Sequence, residues 1–141
     1  MGTYKVRTGA GHVRRRKMAF TVSIDERPEA WVLTARGDLD YGECPQLRSH
    51  TERIVRDRPA AVVADFSGVE YLDSSGLGLL LGLSQEYGAT GGRLVLVANE
   101  TVERILEITR LTGVFTIEAD VAEALSLITK TTPPGGGVVG T

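Results

Sequence analysis

Residues 60–97 read AAVVADFSGVEYLDSSGLGLLLGLSQEYGATGGRLVLV. Their order is strand, helix, strand. Ala60–Phe66 is a continuous apolar run with Asp65 near its end, the pattern of a strand covered on both faces. Ser67-Gly68 predicts the turn that follows it. Gly76–Tyr87 predicts an apolar helix, with leucines at 77, 79, 80, 81 and 83, stopped by Gly88, Gly91 and Gly92. Arg93–Val97 is a second buried strand. Two such strands joined through a helix make a parallel pair.

The flanks extend the pattern. Upstream, Phe20–Ile24 and Ala30–Ala35 predict a hairpin around Asp25-Glu26-Arg27-Pro28, with Gly37 as its far stop. Pro45–Arg56 has helical spacing, with Leu47, Thr51, Ile54 and Val55 on one face. Downstream come a short helix over Thr101–Ile108, a strand over Phe115–Glu118 and a helix over Val121–Thr129. The predicted fold is α/β: a mixed, mostly parallel sheet with four helices, in the order β-β-α-β-α-β-α-β-α.

The 141 residues predict one domain over 18–129. Residues 1–17 carry six basic and no acidic groups and read as a disordered tail; Met18 is an alternative start. Residues 130–141 (KTTPPGGGVVGT) read as a Pro/Gly-rich tail. Without the first 17 residues the chain holds 10 basic against 18 acidic groups, a poor match for a nucleic-acid backbone. No apolar run approaches membrane-span length, and none follows the basic N-terminus as a signal peptide would require. The lone Cys44 makes no internal disulfide and excludes a cysteine-built metal site. A cytoplasmic protein without cofactor or metal is expected.

The chemistry-bearing segment is Tyr71-Leu72-Asp73-Ser74-Ser75-Gly76-Leu77-Gly78. Asp and Ser ahead of an apolar helix are preferred N-caps, and capping accounts for them when they stand alone. Other motifs argue against catalysis. Gly-x-Ser-x-Gly is absent, and the available histidines are His12, in the tail, and His50, on a helix face. No P-loop occurs. A phospho-aspartate receiver needs a lysine late in the domain, and the only lysine after residue 17 is Lys130.

Across residues 20–129 the chain resembles the STAS family, and within it the anti-anti-sigma factors. The resemblance rests on Gly37-Asp38-Leu39-Asp40, Val62–Val69, the Tyr71–Gly78 segment, Gly91-Gly92 and Leu111-Thr112-Gly113-Val114-Phe115, all in the family's order. It implies a non-enzymatic partner switch. The unphosphorylated protein binds an anti-sigma factor and frees its sigma factor. The anti-sigma factor is a serine kinase that phosphorylates the residue after the motif Asp, here Ser74, and so dissolves the complex. A phosphatase restores the serine. Ser75 is a lesser second acceptor. Partner contact is expected at Asp38, Asp40, Asp73, Ser74, Ser75, Gly76 and Gly78. A STAS scaffold in a stressosome-like or lipid-transport assembly is the alternative.

Three structural expectations follow. The Ser74 hydroxyl sits at the helix start, where it can cap the helix and still face solvent. Asp38 and Asp40 lie on the neighbouring loop at the same end of the sheet, so a phosphate on Ser74 adds to a local cluster of negative charge. Gly76 and Gly78 either let a partner backbone approach or let the helix pack closely on the sheet.

Overall fold

The computed structural model describes residues 16–89 and 92–130. Its strands are β1 (Thr21–Glu26), β2 (Trp31–Leu39), β3 (Ala61–Leu72), β4 (Arg93–Val97) and β5 (Thr116–Glu118). Its α-helices are α1 (Cys44–Asp57), α2 (Ser74–Ala89), α3 (Glu100–Ile108) and α4 (Val121–Lys130). The expected element order holds. One sheet runs β1-β2-β3-β4-β5, with β1 antiparallel to β2 and every other pair parallel.

Side-chain alternation along the central strands divides the interior into two cores. On one face Leu33, Val62, Ala64, Phe66 and Leu96 pack under α1, α2 and α3, which contribute Leu47, Ile54, Leu80, Leu83, Val102 and Leu106. On the other face Val32, Val63, Val95 and Val97 meet Ala124 and Ile128 of α4. Ala61–Phe66 is therefore buried on both sides, as its unbroken apolar run predicted.

Two strands outrun their predicted ends. The chain does not turn at Ser67-Gly68: β3 continues to Leu72, and the dipeptide sits in a β-bulge. Thr34 pairs with Asp65 but Arg36 pairs with Gly68, so one extra residue is accommodated in β3. The bulge is held by Asp65 Oδ1, which accepts from the Ser67 amide (3.1 Å) and hydroxyl (2.6 Å). Past the end of β4, the Asn99 side-chain amide donates to the carbonyls of Ser67 (2.9 Å) and Val69 (2.7 Å), while its oxygen caps α3 at Val102 (2.9 Å).

β2 likewise passes through Gly37 instead of stopping there. Gly37 takes φ +91, and a Cβ at this position would overlap the Ala19 carbonyl. That close approach lets Met18 pair with the next residue: the Asp38 amide donates to the Met18 carbonyl (3.0 Å), and the Met18 amide donates to Asp38 Oδ2 (2.9 Å). Residues 1–15 of the predicted N-terminal tail lie outside the described residues, and so do 131–141 of the C-terminal one. Lys130, assigned to that tail, is the last residue of α4.

Candidate functional site

The site forms where two parallel strands end side by side. Leu39 of β2 pairs with Leu72 of β3, and each strand then hands the chain to a helix. After Leu39, Asp40 caps a 3-10 turn at Tyr41–Glu43: its Oδ1 accepts from the Glu43 amide (3.2 Å). That turn runs directly into α1. After Leu72, Asp73 caps α2. Its Oδ1 accepts from the amides of Ser75 (2.9 Å) and Gly76 (3.2 Å), and its Oδ2 accepts from the Tyr41 amide (3.1 Å). One carboxylate thus fixes the starts of both helical segments.

This corrects the expected cap. Ser74 is the first residue of α2, not the residue ahead of it, because Asp73 already satisfies the first free amides. The Ser74 side chain is exposed and makes no hydrogen bond among the described residues. Ser75 beside it is half-buried.

Asp38 is also relocated. It lies within β2, not on a loop, and is 2 % exposed, with its carboxylate turned to the Met18 amide. Asp40 does flank the site, but Lys17 Nζ stands 3.0 Å from its Oδ2 and 3.5 Å from Glu43. The hydrogen bond to Asp40 is the main cause that raises the Lys17 pKa. Of the three expected aspartates, only Asp73 puts a carboxylate directly beside Ser74 without a neutralising cation.

The two glycines separate cleanly. A Cβ at Gly76 would come within 2.7 Å of both Leu39 and Leu72 side chains, so its bareness serves packing at the sheet end. At Gly78 a Cβ would meet nothing within 4 Å, and the same holds for Gly82 one turn later. These two leave open space on the outer side of α2. Leu80 and Leu83 are core, whereas Leu79 is half-buried and packs at the edge of that core.

That open space is a groove of about 700 Å³ between the start of α2 and the start of α1. Ser74, Gly78 and Leu79 line one side; Tyr41, Cys44 and Arg48 line the other. A second groove of about 420 Å³, which shares Arg48, Gly78 and Leu79, continues it along the two helices. Tyr41 at the rim is 78 % exposed, unusual for a large aromatic. Burial is the main cause that raises the Cys44 thiol pKa, and the charge of Asp73 adds to it, so the thiol stays protonated and unreactive at neutral pH. Among the described residues no group of three or more His, Cys, Asp or Glu side chains converges as metal ligands would, and no helix is long and apolar enough to cross a membrane.

Sequence reasoning located Ser74 and Asp73 but missed Arg48 and the tie from Tyr41. Arg48 carried no motif; only its placement one turn after Cys44 on the helix facing α2 brings it to the groove.

The family model described as "STAS domain" matches residues 21–124. The anti-sigma-F factor antagonist RsfB of Mycobacterium tuberculosis is 27% identical over 108 residues, covering 77% of this chain and 88% of that protein. The crystal structure of an anti-sigma factor antagonist from Mycobacterium paratuberculosis superposes with a TM-score of 0.73 at 27% identity, over 79% of this chain and 95% of that one. The Bacillus cell fate determinant SpoIIAA, in its phosphorylated form, superposes with a TM-score of 0.61 at 26% identity, over 78% and 99% of the two chains.

Proposed function

The chain belongs to the STAS-domain family, and from that premise we propose that it is an anti-sigma factor antagonist switched off by phosphorylation of Ser74. It binds a serine-kinase anti-sigma factor through the groove at the starts of α1 and α2, and in doing so releases a sigma factor. It is a binding module and the kinase's substrate; ATP and magnesium belong to the kinase. A phosphatase resets it. Such partners place it in the cytoplasm.

One observation carries this reading: the duties of cap and acceptor fall on different residues. Asp73 holds the helix start, and Ser74 stands exposed beside it with an unbonded hydroxyl. A kinase can reach that hydroxyl without unpicking any structural hydrogen bond. Similarity to proteins named as anti-sigma factor antagonists, and to the Bacillus cell fate determinant SpoIIAA solved in a phosphorylated form, supports the same assignment.

The added group brings about −1.5 to −2 charges. It lies at the mouth of the groove and beside Asp73. Facing a partner carboxylate about 5 Å away in a partly dried interface, with an effective dielectric near 20, each charge pair costs about 3 kcal/mol. That is more than about 100-fold in Kd. The repulsion is with the partner and with Asp73, since Asp38 is buried and Asp40 is already neutralised by Lys17.

The test is capture of the cognate anti-sigma kinase by three forms of the protein in the presence of ATP. Ser74→Ala is expected to stay bound, the native protein to be released as it is phosphorylated, and Ser74→Asp to bind weakly throughout. Equal capture by all three would refute the assignment.

A further inference from the structure

A phosphate on Ser74 needs a counter-charge, and of the amides at the helix start only that of Ser74 itself has no partner among the described residues. At a helix start the free amides normally serve an anion. Here the Ser75 and Gly76 amides already donate to the Asp73 carboxylate, and Leu77 donates to the Asp73 carbonyl. Lys17, the nearby lysine, is held by Asp40 and Glu43. Arg48 is the only basic residue lining the groove that opens beside Ser74. Its guanidinium has no hydrogen-bond or ion-pair partner among the described residues. Gly78 lines the same groove as Ser74 and Arg48, and a Cβ there would meet nothing within 4 Å, so no side chain from this position fills the space. A guanidinium pairs with phosphate through two parallel N–H donors, which an ammonium cannot reproduce.

We propose that Arg48 receives the phosphate of modified Ser74 within the same chain, drawing it across Gly78 into the groove between α1 and α2. The modified protein then closes its own docking groove: the phosphate and Arg48 occupy the space that a partner would fill. This rests on the reading of Ser74 as the phosphoacceptor and adds a residue that recognises the modified state. Arg48 is a positioning residue and takes no part in the phosphoryl transfer.

The test is independent of any kinase. Phosphoserine is installed at position 74 during translation, and its second ionisation is followed by phosphorus NMR in otherwise native protein and in Arg48→Ala, Arg48→Lys and Arg56→Ala. An adjacent guanidinium favours the dianion. Ion pairs of the strength usual at a surface lower the phosphate pKa by about 0.3–0.7 pH unit. The otherwise native protein should titrate that much below Arg48→Ala, Arg48→Lys should fall between them, and Arg56→Ala, altered only in the distal groove, should match the native value. In about 1 M salt the gap should close. Titration of Arg48→Ala within about 0.1 pH unit of native, or an equal shift in Arg56→Ala, would overturn the proposal. Circular dichroism of each variant confirms the fold, and Arg48→Gln replaces Arg48→Ala if the latter is unfolded. Should phosphoserine at 74 fail to release the kinase, the switch reading falls while the titration still decides the role of Arg48.

Discussion

Replacing Asp73 should destabilise the protein far more than replacing Ser74. In Asp73→Ala both amides held by Oδ1 lose their acceptor. The loss of an N-cap costs about 0.5–2 kcal/mol. The Tyr41 amide loses Oδ2 as well; it is at the surface and recovers water, so this link adds about 0.5–1 kcal/mol. The expected total is about 1–3 kcal/mol. Asp73→Asn keeps an oxygen for the cap but loses the Tyr41 link and the negative charge at the helix start, so it should cost about 1–2 kcal/mol. Ser74→Ala removes a hydroxyl that has no hydrogen bond among the described residues and should change stability by less than about 0.5 kcal/mol. Urea unfolding at neutral pH reads all three, with an unchanged m-value as the sign that only the folded state is affected. In thermal melts Asp73→Ala should lose roughly 4–12 °C for a domain of this size. A Ser74→Ala loss equal to that of Asp73→Ala would mean that the serine, not the aspartate, caps α2. The separation of cap from acceptor would then be wrong.

Other substitutions test other contacts. Gly76→Ala drives a methyl into Leu39 and Leu72 and should cost about 1–3 kcal/mol in urea unfolding, whereas Gly78→Ala, in open space, should gain about 0.5–1 kcal/mol. Asn99→Asp preserves the α3 cap but sets a carboxylate against the Ser67 and Val69 carbonyls, so it should destabilise by about 2 kcal/mol, close to Asn99→Ala. Burial pushes the Tyr87 phenol up to about 12, and its hydroxyl donates to the Pro59 carbonyl. A folded-state pKa above the unfolded one means that the stability is fully present below pH 10 and is lost between about pH 10 and 12. The loss should be of order 2 kcal/mol; urea midpoints at pH 9 and 11.5 should converge once Tyr87→Phe is made.

Much of this architecture is legible in the chain because its signals are local. The Ala60–Phe66 run and the leucine-rich stretch after it announce a strand covered on both faces and a buried helix. The Asp73-Ser74 pair marks the helix start whichever of the two caps it. What escapes is decided by partners distant in sequence. Ser67-Gly68 has the composition of a turn, yet Asp65 and Asn99 satisfy its backbone groups as a bulge and so keep β3 going to Leu72. Gly37 looks like a stop, but its positive φ and lack of a side chain let Met18 and Ala19 come alongside. Asp38 and Asp40 sit two residues apart and read alike; one is sealed against Met18 and the other held by Lys17. No periodicity in the N-terminal residues foretells either.

The division between Asp73 and Ser74 bears on how the state of this protein can be observed at all. A modification that breaks no native hydrogen bond leaves almost no thermal trace, so a dye-based melting screen would score modified and unmodified molecules alike. Mobility in a native gel or isoelectric focusing, which responds to charge alone, would tell them apart. The same economy removes hysteresis from the cycle: nothing must refold when the group is added or taken away. The position of the switch at any moment is then a ratio of two enzyme rates, with no memory stored in the fold.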